Sequence, residues 1–336
     1  MKTKRITTWD VTKGFGMLLV ILGHLVSEES YLRNFIYSFH MPLFFILSGF
    51  VQKHDDKKRR LIELIRSEKK IIIVYLFWSA IYFALDLIIR FGLLKTVHLR
   101  GIIERVIYIV STYGINVLWF IGSLIVGRIL TKKLLSLTGN EKMRWIFTAI
   151  LVIVSASLSS VLDLINSWSI SVILTVMLRG SFTAGLILFG YLIRDRVVAL
   201  IERGDSLLGI LLLLMNVVIA NQMGGVDLHY MELGVWPLFI VSMLTGTFGF
   251  ICLCRLFEKV EFVKKCLTFL GVNSLFIMVT HNYLYINDGI TYIVRLIVGN
   301  NNLAIVVSYI LLLAVEIILC CFVAPIYNRF IDRLIS

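Results

Sequence analysis

Apolar residues fall in ten runs along the chain, at residues 11–26, 34–51, 71–89, 114–130, 145–162, 171–193, 207–220, 236–254, 269–285 and 303–325. Most approach the ~20 residues that carry a helix across ~30 Å of hydrocarbon, and they lack the polar alternation of barrel strands. The pattern predicts an all-α integral membrane protein, a bundle of about ten transmembrane helices. The seventh run is short, which points to a tilted or partly re-entrant segment. Between the second and third runs, residues 53–70 place Leu61, Ile62, Leu64 and Ile65 among many charges. That mixture predicts a basic, amphipathic helix lying on the cytoplasmic interface, where it anchors to anionic lipid or holds a phosphorylated ligand. Residues 98–105 read as a shorter surface helix on the opposite face. No internal repeat, low-complexity tract or Pro/Ser-rich linker divides the sequence, so one domain is expected over residues 1–336.

Composition excludes a soluble domain, since 59% of the residues are hydrophobic and 16% are charged. The formal charge of +12 has a topological explanation. An alternating path with both termini in the cytoplasm leaves only Arg33, Arg90, Lys95, Arg100, Arg105, Arg179 and Arg295 on the far side and Lys13 inside the first run. Every other Lys and Arg then lies on the cytoplasmic side, as topology rules require. Nucleic-acid binding is not needed to explain the basic residues. The five cysteines lie in or beside apolar runs without metal-ligand or CxxC spacing, so they read as structural thiols, and no metal is expected. The basic start of the chain is followed by no small-residue cleavage site, so the first span is expected to be retained.

Ionisable groups inside apolar runs are costly and mark function or a structural hydrogen bond. Here they are Lys13, His24, His40, Asp86, Arg179, His281 and Glu316. With a rise of ~1.5 Å per helical residue, His24, His40, Arg179 and His281 all come out ~16–20 Å from the cytoplasmic face. Lys13 and His24 lie on one helix face, because eleven residues complete almost whole turns. A lone histidine in an apolar segment is more often a satisfied core residue; four such groups at one level suggest a shared polar site. A neutral histidine suits general-base attack by a hydroxyl, and an arginine suits a carboxylate or an oxyanion. Asp86 and Arg90, four apart, are expected to pair, and Glu316 is expected to be structural. No HExxH, GxSxG, Walker or GxGxxG sequence occurs on a suitable element.

The segment TTWDVTKGFGMLLVILGH followed by IYSFHMPLFFILSGF resembles the opening of the acyltransferase family 3 membrane proteins, most closely their fucose 4-O-acetylase-like branch. LWFIGSL at Leu118, RGSFTAGLILFGYLI at Arg179 and LGVNSLFIMVTHN at Leu270 follow in the expected order. The resemblance implies O-acetylation of a hydroxyl on a cell-surface glycan or its lipid-linked precursor, with acetyl-CoA as cytosolic donor, in a bacterial plasma membrane. It makes His24 the catalytic base, with His40, Arg179 and His281 as further catalytic candidates and Pro42 in the second motif. Lys13, Arg66, Lys69 and Lys70 would meet coenzyme A. Asp10, Trp119 and Asn282 would line the substrate site. Val74 stands where related chains carry a proline before Tyr75, a departure expected to straighten the third span. The chain ends soon after the tenth run and is expected to act without an appended hydrolase-like domain. Membrane lipid and the glycan acceptor are the expected partners, with a second copy of the chain open. The competing readings are a transporter or flippase for a glycan or lipid-linked sugar, and transfer of another acyl group such as succinyl.

Overall fold

The computed structural model describes residues 7–53, 60–89, 99–204, 206–282 and 286–335. Their regular structure is helical apart from one isolated bridge between Asp227 and Glu232. The helices are α1 (Thr7–Gly23), α2 (Tyr31–Phe50), α3 (Leu61–Ser67), α4 (Lys69–Ile88), α5 (Leu99–Val110), α6 (Trp119–Leu137), α7 (Glu141–Ser159) and α8 (Trp168–Arg203). They continue with α9 (Ser206–Ala220), α10 (Trp236–Phe257), α11 (Glu261–Val272), α12 (Ser274–Thr280), α13 (Ile286–Val298), α14 (Asn302–Phe322) and α15 (Ala324–Ile335). Among the described residues α4, α7, α8, α10 and α14 are long and apolar enough to cross a membrane. The pair α11 and α12, bent by 64°, makes a sixth if it counts as one span. The protein is therefore an all-α membrane protein.

Each of the ten apolar runs carries helix, although the boundaries differ. The ninth is broken: residues 269–272 end α11, and α12 carries the chain only to Thr280. The cause is Asn273, whose side-chain amide donates to the Phe269 carbonyl at 2.9 Å and caps the last turn of α11. The seventh run is the 15-residue α9. The helix anticipated at residues 98–105 is the longer α5, and His98 lies outside the described residues. Of the basic segment, residues 54–59 lie outside them too, and α3 buries Leu64 while Leu61, Ile62 and Ile65 are exposed. Helices α13 and α15 were not anticipated. Both alternate apolar and polar residues at helical spacing and so lack the continuous apolar run that marks a span.

The chain divides into two compact units. The first takes the described parts of Met1–Leu47, Arg194–Val226 and Leu233–Tyr327. There α1 crosses α11 with backbones nearly touching: a Cβ on Gly14 would collide with the Leu267 carbonyl, and one on Gly271 with the Asp10 carbonyl. Small residues permit such close approach where packing, not hydrophobicity, holds helices together in lipid. Gly209 of α9 and Gly249 of α10 do the same for that pair. Asn216, fully buried, donates to the Ser242 carbonyl (2.6 Å), to Ser242 Oγ (2.8 Å) and to Ser38 Oγ (3.1 Å). This satisfied polar knot ties α2, α9 and α10 together.

The second unit takes the described parts of Ser48–Ile193, Asp227–Glu232 and Asn328–Ser336. Gly127 of α6 and Gly180 of α8 let those helices close on each other, against Thr183 and Val126 respectively, and Thr131 Oγ1 donates to the Ala184 carbonyl at 3.1 Å. The buried Glu68 between α3 and α4 is paired with Arg128 at 2.8 Å and with Lys132, both on α6. Asp86 is paired with Arg105 at 3.3 Å; its expected partner Arg90 lies outside the described residues.

Candidate active site

In the first unit α1, α2 and α12 bring together histidines far apart in sequence. Helix α1 ends at Gly23, and His24 occupies the following turn while its N–H still donates to the Val20 carbonyl at 3.3 Å. The side chain thus stays in the helical register that relates it to Lys13. Gly23 leaves room for the rings of α2, because a Cβ there would lie 3.0 Å from the Tyr37 ring. The His24 imidazole stands 5.2 Å from that of His281 and 6.4 Å from the Tyr37 ring, centroid to centroid. Tyr37 in turn lies 4.8 Å from His40. Burial differs among the three: His40 and His281 are 5% and 2% exposed, whereas His24 is exposed.

Backbone carbonyls fix two of these rings. His281 Nδ1 donates to the Ile277 carbonyl at 3.0 Å, and His40 Nδ1 to the Ile36 carbonyl at 2.8 Å. A carbonyl can only accept, so each Nδ1 carries hydrogen and each Nε2, in the neutral ring, presents a lone pair. His281 Nε2 is buried without a hydrogen-bond partner among the described residues. An unprotonated imidazole nitrogen beside a second, exposed imidazole is an arrangement that can take a proton from a hydroxyl. Asn282 follows in the turn after α12, half-buried.

Sequence reasoning missed two members of this group. Arg33 places its guanidinium 4.2 Å over the Tyr37 ring and pairs with Glu28 at 3.3 Å. Arg33, Tyr37 and His40 stand at i, i+4 and i+7 on α2, a helical stripe that was legible once α2 was drawn. Nearer the start of α1, Asp10 is buried and holds Lys13 at 2.7 Å, so that lysine is half of an ion pair. Thr280, next to His281, donates to Glu316 of α14 at 2.7 Å.

Arg179 and Trp119 belong to the second unit and join a different group. Arg179 is 1% exposed, yet its Nη1 donates to the His229 carbonyl (2.6 Å) and its Nη2 to the carbonyls of Tyr113 (2.8 Å) and Thr112 (3.3 Å). Its guanidinium lies 5.3 Å from the rings of both Tyr113 and Trp119. A buried guanidinium spent on three carbonyls staples two connections together. His229 was also missed, since it sits in an irregular connection with no periodicity to expose it. Its ring stacks on Trp119 (5.7 Å, 5° between planes) and on Tyr230 (4.4 Å). Burial pushes the His229 imidazole down to about 3, and the Arg179 charge adds to the shift.

Of the residues expected to meet coenzyme A besides Lys13, Arg66 is exposed on α3. Lys69 donates to the Ile335 carbonyl at 2.6 Å, and Lys70 pairs with Asp332 at 2.8 Å.

Comparison with known proteins decides the class. A family model described as an acyltransferase domain, Acyl_transf_3, matches residues 6–324. The chain belongs to acyltransferase family 3. Nodulation protein NolL of Sinorhizobium fredii (strain NBRC 101917 / NGR234) is similar, with 27% identity over 162 residues, 45% of this chain and 42% of NolL. The aligned part therefore spans less than half of that relative. No solved structure matches. The acyltransferase family match takes in both groups of residues, from Asp10 to His281.

Proposed function

We propose that this membrane acyltransferase moves an acetyl group from cytosolic acetyl-CoA to a hydroxyl of a cell-surface glycan or its lipid-linked precursor, in a bacterial plasma membrane. The observation that carries this reading is the imidazole pair His24–His281, 5.2 Å between centroids, in a chain of the acyltransferase family. His24 takes the proton of the acceptor hydroxyl as its oxygen attacks the thioester carbonyl. The C–S bond then breaks, the ester forms, and the proton leaves with the thiolate as free thiol. His281, its Nδ1–H fixed on Ile277, offers Nε2 beside His24 to orient the acceptor or share its proton. His40, tied to the Ile36 carbonyl, holds the far side of Tyr37. Donor phosphates suit the cationic stretch at Arg66, Lys69 and Lys70; Arg66 is exposed there, while the two lysines carry compensating contacts to Ile335 and Asp332.

The test is transfer from radiolabelled acetyl-CoA by the protein in lipid vesicles supplied with bacterial glycan acceptors. His24→Ala and His281→Ala should each lower turnover by about 10²-fold or more, in line with the loss of a general base or its partner. Their unfolding temperatures should stay near that of the wild type. Unimpaired transfer by His24→Ala would remove it as the base. A wild type that neither binds nor consumes acetyl-CoA, but moves glycan across the bilayer, would replace the enzyme by a transporter.

A further inference from the structure

Beside the histidine group stands a charge that the fold itself does not need. The short connection at residues 24–30 joins α1 to α2 and is anchored by the buried Leu25. Ser30 closes it: its N–H donates to the Ser27 carbonyl (3.0 Å), and its Oγ accepts from the Leu32 N–H (3.2 Å). Arg33 follows in the first turn of α2, where the helix dipole favours acidic residues and none is present. Its side chain is 15% exposed, whereas that of its counter-charge, Glu28, is 87% exposed. A pair with so exposed a carboxylate contributes little and does not offset the withdrawal of a guanidinium from water.

A guanidinium carries five N–H donors. Among the described residues Arg33 uses one nitrogen, Nη2, which donates to Glu28 Oε1 at 3.3 Å. It therefore has donors to spare, unlike the buried Arg179, whose terminal nitrogens are spent on three carbonyls. The guanidinium lies 4.2 Å over the Tyr37 ring, and the same ring meets His24 at 6.4 Å. His24 is exposed while His40 and His281 are buried, so open space reaches the imidazole assigned the proton transfer. A molecule whose hydroxyl reaches His24 thus has a cation one tyrosine's breadth away. A neutral molecule would leave that cation as it stands, and an apolar chain would gain nothing from it. A carboxylate or phosphate takes two charge-assisted hydrogen bonds from the guanidinium fork and can displace the exposed Glu28. The phosphates of the acyl donor do not fit, because an alternating path through the spans puts the start of α2 on the side away from the cytosol.

We propose that Arg33 binds a carboxylate or phosphate carried by the acceptor, a few bonds from the hydroxyl at His24, and so makes the protein selective for anionic acceptors. Glu28 is the internal competitor that pairs with the guanidinium until that anion arrives. That the hydroxyl receives an acetyl group rests on the function proposed above; the capture of the anion by Arg33 does not.

The test is saturation-transfer difference NMR on the full chain in phosphatidylcholine nanodiscs. Two pairs of probes differ in charge: glucuronate against glucose, and glycerol 1-phosphate against glycerol. At least one charged probe should bind about tenfold or more tightly than its neutral partner, the worth of a charge-assisted hydrogen bond. Arg33→Gln should remove that preference, and Arg33→Lys should keep part of it. Glu28→Gln should strengthen it, because the competing carboxylate is gone, whereas a purely structural ion pair would make both glutamine variants equally weak binders. Thermal unfolding reports on the fold of each variant, and the exposed position of Glu28 keeps the comparison informative should Arg33→Gln fail to fold. Silence from all four probes, equal affinity for charged and neutral ones, a preference that survives in folded Arg33→Gln, or a loss in Glu28→Gln overturns the proposal. Adding phosphatidylglycerol to the nanodiscs tests the other source of the same chemistry. Competition with the charged probes that disappears in Arg33→Gln would make a lipid headgroup the occupant and overturn the assignment to the acceptor. Acetyl-CoA consumption is measured on the same preparations. An Arg33-dependent preference without consumption sustains the anion site and counts against the acetyltransferase; consumption stimulated equally by charged and neutral probes counts against the anion site and leaves the acetyltransferase standing.

Discussion

His229 shows how one residue outside the spans becomes sensitive to its neighbours. It faces the Arg179 guanidinium, the phenols of Tyr113 and Tyr230, and Asp227, whose carboxylate accepts its backbone N–H. Burial holds its imidazole at about 3 in the folded chain, against an ordinary value near 6.5. Between those values the unfolded chain binds more protons than the folded one. Stability therefore rises with pH across that window and falls as pH drops through it. The unfolding temperature of the protein in lipid should decline between pH 7 and pH 5, and His229→Gln should decline less steeply. Equal slopes for the two would mean that His229 is not buried as a neutral ring. Arg179 belongs to the same local logic. Its sequence position announced a costly cation in an apolar run, and the structure gives that cation three carbonyls and two ring faces.

At the scale of elements, the crossing of α1 and α11 controls where the histidine-bearing end of α1 lies. Gly271→Ala would push a methyl group into the Asp10 carbonyl, backbone against backbone, with no flexible side chain to yield. The expected cost is about 1–3 kcal/mol, as for other overpacked sites. A lower unfolding temperature in lipid, with Gly139→Ala unchanged because that glycine meets nothing, would check it. Continuous apolar runs in the sequence were enough to place helices at all ten positions, because lipid-facing helices need long apolar stretches. It missed α13 and α15, where only one face is apolar, and the break at Asn273, where a single side chain takes a carbonyl. Of the candidate site, His24 and His281 were legible as costly polar groups at one depth, and the structure sets them side by side. Tyr37 and Arg33 ordinarily belong at a helix end and so gave no such signal. His229 was hidden because a clip closed by two backbone hydrogen bonds leaves no hydrophobic period.

At the scale of the whole molecule, contacts within the second unit constrain sidedness. The connections at residues 111–118 and 221–235 are joined through Arg179, and Trp168, where a third connection enters α8, donates to Tyr108. Alternation through ten spans puts all three connections outside. The segments assigned to the cytoplasm also meet one another: Glu68 pairs with Arg128 and Lys132 toward the end of α6, and Lys69 and Lys70 meet Ile335 and Asp332 of α15. One span more or fewer between two joined segments would force partners across the bilayer, although ion pairs and hydrogen bonds of about 3 Å cannot span ~30 Å of hydrocarbon. With most Lys and Arg falling on one side of an alternating path, we expect ten spans with both termini cytoplasmic. The measurement is cysteine labelling with a membrane-impermeant maleimide in a chain whose two exposed thiols, Cys266 and Cys321, are changed to serine. Tyr230→Cys should label in intact cells. Lys70→Cys and a cysteine added after Ser336 should label only once the membrane is opened. Labelling of Tyr230→Cys and Lys70→Cys from the same side would break the alternation.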